Sequence, residues 1–207
     1  MATYGRLGWT LTDIAGTGTV TTIASTAATE FGVRRLATSS NANDASVLTL
    51  GDGATFGFPV GLELVVKIRV SGTATNNVVW TGLVETVLTV PTGGAANNSF
   101  IGFRTTNGAN WLAVVRDGLT ESTVDTTLAG DGTWRVLGLA RTLTGIQTRY
   151  YDLSDRRFSE PLDVGAEFTS GITVDALRPC AMGVQTTTGA SRSAESDWWS
   201  VGGRAAR

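Results

Sequence analysis

No stretch of the chain carries an apolar stripe recurring every three and four residues over ten or more positions, which is what an amphipathic helix needs. What recurs instead is a short run rich in β-branched residues, closed by Gly, Asn or Asp. In Leu62 to Val70, L-E-L-V-V-K-I-R-V, alternation puts Val66, Ile68 and Val70 on one face and Lys67 and Arg69 on the other. That is the pattern of an antiparallel strand with one solvated side. Asn77 to Val90 is long and apolar, with Gly82 predicting a bulge or bend and Pro91 ending the run. Ser99 to Thr105 and Asn110 to Arg116 flank T-N-G-A, a hairpin turn. A-G-D-G precedes a strand at Thr133 to Arg141, and T-G near Gly145 precedes one at Ile146 to Leu153. T-G-A-S between Cys180 to Thr187 and Ser193 to Val201 reads as another glycine hairpin. Strands at this spacing predict an all-β fold, an antiparallel two-sheet sandwich.

The length of 207 residues suits one domain with a sizeable core. Residues 1–58 differ in texture, being rich in Ala, Thr, Ser and Gly, with short strands expected at Thr19 to Ala24, Phe31 to Ala37 and Val47 to Gly51. They read as edge strands of the sandwich or as an attachment arm that orders on a partner. Edge strands are the expectation, because Phe31, Val33 and Leu36 can bury on a sheet. Residues 59–207 hold the sandwich proper, continuous with the first segment.

Absences narrow the chemistry. The chain has no histidine, which excludes Ser-His-Asp triads, Cys-His dyads and His-ligated zinc. Cys180 is alone, so no intramolecular disulfide or thiolate cage forms, and it reads as a small buried apolar residue. A net charge of −2 gives no basic stripe for DNA or RNA, so nucleic acid is not an expected partner. No run reaches the length of a membrane span, and Met1 to Arg6 lacks the pattern of a secretory signal, so the expectation is cytoplasmic synthesis without export. Charged residues make up only 16% of the chain, against 26 glycines and 33 threonines, which leaves a neutral polar surface suited to a protein that enters an assembly. Lys67 is the only lysine against fifteen arginines, a bias that partly buried pairing or genomic base composition would each produce.

Without histidine, the chemistry most open to the chain is a pair of carboxylates flanking a glycosidic bond. Glu195 and Asp197 are the best pair, since positions i and i+2 of a strand share a face. The plainer reading makes them solvent-facing partners of nearby arginines. Trp9, Trp80, Trp111, Trp134, Trp198 and Trp199 supply the flat aromatic surfaces that sugars stack on. Trp134 reads as core. Trp198 and Trp199 are adjacent, so one enters the core and the other lies outside. The candidate ligand-binding residues are therefore Trp111, Trp198, Trp199, Glu195 and Asp197. Gly51-Asp52-Gly53, Asp117-Gly118 and Asp131-Gly132 offer oxygens to calcium, but none has the spaced D-x-D-x-D-G of a dedicated loop, and turn chemistry accounts for them. No metal or other cofactor is expected.

From residue 99 onward the order of features is F-I-G-F-R-T-T-N-G-A-N-W, V-R-D-G, D-G-T-W-R-V-L-G-L-A-R, Q-T-R-Y-Y-D-L, L-R-P-C-A-M-G-V-Q-T and E-S-D-W-W-S-V. This resembles the concanavalin A-like lectin/glucanase jelly roll, in particular the versions found in structural proteins of tailed bacteriophages. The resemblance covers about residues 60 to 203. It implies that T-W-R-V-L is the strand whose Trp anchors the core. The family's laminarinase-type enzymes carry E-x-D-x-x-E on one strand; Glu195 and Asp197 match its first two positions, while Ser200 stands where the second Glu is required. The resemblance thus implies a sandwich used for adhesion or assembly: a non-enzymatic virion protein, assembled in the host cytoplasm. The leading expectation is a capsid decoration protein, a homo-oligomer with a trimer favoured, bound to the major capsid protein or another virion protein through residues 1–58 or a sheet edge. The alternative is a carbohydrate-binding receptor module of a tail fibre or baseplate whose exposed tryptophans stack on host glycans.

Overall fold

In the computed structural model, residues 2–4, 9–14, 17–22, 33–50, 61–71, 75–84, 100–117, 120–142, 146–152, 157–158, 162–163 and 178–203 are described. Their β-branched and aromatic runs form sixteen strands, numbered here in chain order, and no helix. One sheet has the order β1 (Ala2–Tyr4), β2 (Trp9–Ile14), β5 (Ala45–Leu50), β15 (Arg178–Thr186), β7 (Asn77–Val84), β8 (Phe100–Thr106), β9 (Asn110–Asp117), β10 (Thr120–Ala129). The other has the order β13 (Arg157–Phe158), β12 (Ile146–Asp152), β11 (Arg135–Arg141), β6 (Leu62–Ser71), β16 (Ser193–Gly203), β4 (Arg34–Ala37), β3 (Thr19–Thr22), with β14 (Leu162–Asp163) also on β12. All the ladders are antiparallel. The fold is the expected antiparallel two-sheet sandwich. Within residues 1–58, β1 and β3 lie at sheet edges, whereas β5 is an interior strand between β2 and β15.

The core between the sheets follows from alternation. Leu64, Val66, Ile68 and Val70 of β6 and Leu137 and Leu139 of β11 point inward and meet Val79, Ile101, Phe103, Trp111 and Val184 of the first sheet, all fully or almost fully buried. Each such side chain contributes about 1.5–3 kcal/mol by leaving water. The first sheet buries apolar side chains on its other face too, the face that also holds the Arg104–Glu121 ion pair. Val47, Val78, Trp80, Val84, Phe100 and Val114 form a second buried cluster there, which is why β7 reads as an unbroken apolar run. The aromatic rings of this cluster lie over glycines: a Cβ on Gly183 would fall inside the Trp80 indole, and one on Gly102 would come within 2.7 Å of the Phe100 ring. The second sheet differs, because the outward positions of β6 and its neighbours carry charges.

Three sequence expectations change. Gly82 does not bulge its own strand; β7 pairs without interruption with β8, Gly82 facing Gly102, and the irregularity sits opposite in β15 between Cys180 and Gly183. Gly82 is required instead by its φ of 154° and by the close approach of the β8 backbone. T-G-A-S is not a hairpin, because β15 and β16 belong to different sheets. The chain crosses over there, held by the Ser191 hydroxyl donating to the Thr38 carbonyl at 2.7 Å and the Arg192 N–H donating to the Thr38 hydroxyl at 3.0 Å. A-G-D-G likewise carries the chain from β10 to β11, in the other sheet. T-N-G-A closes the hairpin expected of it, with positive φ at both Asn107 and Gly108 and Ala109 N–H donating to the Thr106 carbonyl, and β11 and β12, on either side of Gly145, pair as consecutive antiparallel strands from Arg141 and Ile146. Paired positive φ angles match the right-handed twist of the flanking strands.

Candidate functional site

Because Val66, Ile68 and Val70 turn inward, Lys67 and Arg69 of β6 must project from the outer face of the second sheet. The register then assembles a row across that face. Glu195 of β16 lies opposite both Arg69 of β6 and Arg35 of β4. Arg69 Nε donates to one carboxylate oxygen of Glu195 at 2.7 Å, and Arg35 Nε donates to the other at 2.8 Å, with a second guanidinium nitrogen of each Arg also paired to that carboxylate. Asp197 is the extra residue where β16 shifts register against β6, and its carboxylate accepts from Lys67 Nζ at 2.7 Å.

Trp134 closes the row on the other side. It immediately precedes β11, whose Arg135 pairs with Ile68 of β6. The Arg69 guanidinium carbon lies 4.4 Å from the Trp134 ring centre, and Lys67 Nζ lies 5.0 Å from it, both within cation–π range. The ring is half-buried. Arginine, carboxylate, arginine and indole thus lie side by side on neighbouring strands.

Solvent reaches these groups unequally. The Glu195 and Asp197 side chains are 1% and 0% exposed, whereas Arg35 and Arg69 keep 44% and 30%. Burial by itself pushes the Glu195 carboxyl up, but hydrogen bonds from Arg35 and Arg69 and their positive charge outweigh it and hold the group below its ordinary range. Glu195 is a sealed carboxylate, ionised at neutral pH, that orients two cations.

Against this geometry the candidate residues divide. Glu195 and Asp197 do share a face, but neither carboxylate is open to a ligand, and they are buried ion-pair partners rather than solvent-facing ones. Trp111 is not a ligand contact: it is fully buried in the core, because its strand partners direct it inward with Ala113 and Val115. Trp198 and Trp199 pair through their backbones with Lys67 and Val66, and their side chains, like those of Trp9 and Cys180, lie outside what is described. Trp134, expected in the core, instead stands on the outer face. The signal for it was present, since Leu137 and Leu139 point inward and strand parity sends Trp134 and Val136 the other way. Asp131 shows what its Asp-Gly turn does: it accepts the Thr133 N–H at 2.9 Å, an Asx turn, and lies 3.6 Å from Arg135. Gly51 to Gly53 fall outside the described residues.

No protein-family model and no curated protein sequence matches the chain. Solved structures do match it in shape. A protein of unknown function from Shewanella oneidensis MR-1, SO2946, superposes with a TM-score of 0.66 at 16% identity, covering 97% of this chain and 80% of its own. A β-1,3-glucanase from Mycobacterium marinum gives 0.59 at 10% identity, covering 97% and 93%. The exoplasmic/lumenal domain of VIP36, in its form bound to Ca2+ and Man3GlcNAc, gives 0.58 at 13% identity, covering 96% and 85%. At these identities the likeness is one of fold: the chain has a concanavalin A-like sandwich, the fold of these neighbours.

Proposed function

We propose that the chain is a non-enzymatic glycan-recognition module whose binding face is the outer face of the second sheet around Trp134. The observation that carries this reading is the half-buried Trp134 indole with Arg69 and Lys67 lying over its ring, which leaves to a ligand the part of the ring that the two cations do not cover. An indole held in place by its neighbours offers a stacking surface for the apolar face of a sugar ring, and the adjoining donors can bond its hydroxyls. The β-1,3-glucanase and the Man3GlcNAc-bound VIP36 domain among the structural neighbours support a saccharide ligand by analogy of fold.

The absence of catalysis is argued from the carboxylates. Glycoside hydrolysis needs a general acid whose proton is held near neutral pH and is open to the leaving oxygen. Glu195 is held ionised and sealed, Asp197 is paired to Lys67, and Ser200 occupies the position of the third acidic residue. Co-sedimentation with insoluble polysaccharides, followed by a reducing-end assay of the same suspension, tests both halves. The chain should be retained by a polysaccharide, lose retention in Trp134→Ala, and release no reducing ends. New reducing ends that vanish in Glu195→Gln would make it a hydrolase, and retention by none of the polysaccharides would end the glycan reading.

Display on a virion surface, as a receptor-binding part, is the setting we propose for this module; its support is the order of sequence features from residue 99 onward, which resembles that of phage versions of the jelly roll. A capsid decoration role is the second reading. It is favoured by β10, a ten-residue strand at one end of the first sheet whose described ladder is with β9 alone, leaving an edge to which a capsid protein or a second copy of the chain can add a strand. Immunogold labelling of virions separates them: label on the tail tip fits the receptor part, label over the head fits decoration, and unlabelled particles exclude both.

A further inference from the structure

Resting on the glycan reading, we infer that the ligand is an acidic saccharide, one bearing a carboxylate or sulfate that docks between Arg35 and Arg69 while its ring stacks on Trp134. The two arginines grip opposite oxygens of one carboxylate through Nε and Nη2. Among the described residues this leaves Nη1 of each guanidinium without a partner. Glu195 lies fully buried beneath them while they stay 44% and 30% exposed.

Charge points the same way. Arg35, Arg69 and Lys67 against Glu195 and Asp197 give three positive and two negative charges, a local excess of one; Lys67 is sealed together with the two carboxylates, and the charges that reach solvent are those of the two arginines. Among the described residues of this row, what a ligand meets is guanidinium edges and an indole. Guanidinium forks pair with planar oxyanions in two-pronged geometry. Here the forks are already immobilised, on one side by Glu195 and, for Arg69, by the Trp134 ring, so little side-chain freedom is left to lose on binding. A neutral sugar would use the indole but leave both Nη1 groups facing an uncharged partner. The chain as a whole carries a net charge of −2, so indiscriminate capture of polyanions is not expected and any preference must arise from this face.

The test is calorimetric titration of the whole chain with polygalacturonate, dextran sulfate, neutral laminarin and mannan, and poly-glutamate as an anion without sugar rings. The expected result is binding to polygalacturonate or dextran sulfate roughly ten-fold or more tighter than to either neutral glycan, weakening as salt rises. Poly-glutamate should bind weakly. Arg35→Gln should remove most of the preference for the acidic polymer. Because that substitution leaves Glu195 with one partner, the double variant Arg35→Gln/Glu195→Gln, which removes one charge of each sign, is measured beside it with thermal melts of both. Trp134→Ala should weaken acidic and neutral glycans alike. Equal affinity for acidic and neutral glycans, or preference intact in a folded Arg35 variant, would overturn this inference and leave the glycan reading standing. Poly-glutamate binding as tight as the acidic glycans would also overturn it, since charge alone would then suffice. No binding to any of the polymers would overturn both.

Discussion

Trp111 and Trp134 are the same residue type in opposite roles, and truncation tells them apart. Trp111 is fully enclosed between the sheets, so Trp111→Ala should lower the unfolding free energy by about 3–5 kcal/mol. Trp134 loses a half-buried contact with two cations, and Trp134→Ala should cost only about 1–2 kcal/mol, both read from urea denaturation followed by circular dichroism. Glu195 makes the complementary case. Its carboxyl is held below the ordinary glutamate value of 4.5 by the two arginines, against the push of burial. A depressed folded-state value means that the unfolded chain takes up the proton first. The stabilisation is therefore whole above that ordinary value and is lost as pH falls below it toward the folded-state value. Glu195→Gln should cost about 1–3 kcal/mol at pH 7, toward the lower end because the arginines are partly solvated. It should also flatten the acid limb of a plot of urea midpoint against pH; an unchanged acid limb would show that Glu195 is not what the arginines hold.

The strands make sense of which glycines matter. Gly183 lies under the Trp80 ring, and a Cβ on Gly102 would meet the Thr81 carbonyl of β7 before the Phe100 ring at 2.7 Å, so an alanine at either should overpack the first sheet and cost about 1–3 kcal/mol or more. Gly132, in the Asp131 turn, has only the Val70 carbonyl near a Cβ, at 3.9 Å, and Gly132→Ala should melt within about 0.5 kcal/mol of the parent. Most strands were legible in the sequence for the reason that β6 was: period-two alternation with one apolar face. β10 was not. Its sequence T-E-S-T-V-D-T-T-L-A has almost no apolar face, because it is an edge strand carried by threonine propensity and by bonds such as the Thr126 hydroxyl donating to the Trp111 carbonyl. Glycine turns were visible but their reach was not, since Gly, Asn and Asp bend a chain equally well into a neighbouring strand or across to the other sheet. That is how T-G-A-S and A-G-D-G came to be crossovers. Of the site, the Glu195 and Asp197 face was readable from strand parity. Arg35 was not, as it comes from a short strand 160 positions away that only the register of β4 on β16 brings alongside.

The whole molecule divides its labour between its sheets. The first buries apolar clusters on both faces, with the Arg104–Glu121 pair on its outer one; the second spends its inner face on the core and its outer face on a row of arginine, carboxylate, arginine and indole. The sandwich has turned the two positions that resemble a glucanase pair into buried ballast for cations, which is the physical ground for reading recognition rather than hydrolysis. The most direct test is iodide quenching of tryptophan fluorescence in the parent and in Trp134→Phe, each with and without saturating polygalacturonate. In the parent the polymer should protect a quenchable component, and Trp134→Phe should lack that component and its protection. Protection that persists undiminished in Trp134→Phe would place the ligand elsewhere on the molecule and contradict the assignment of this face.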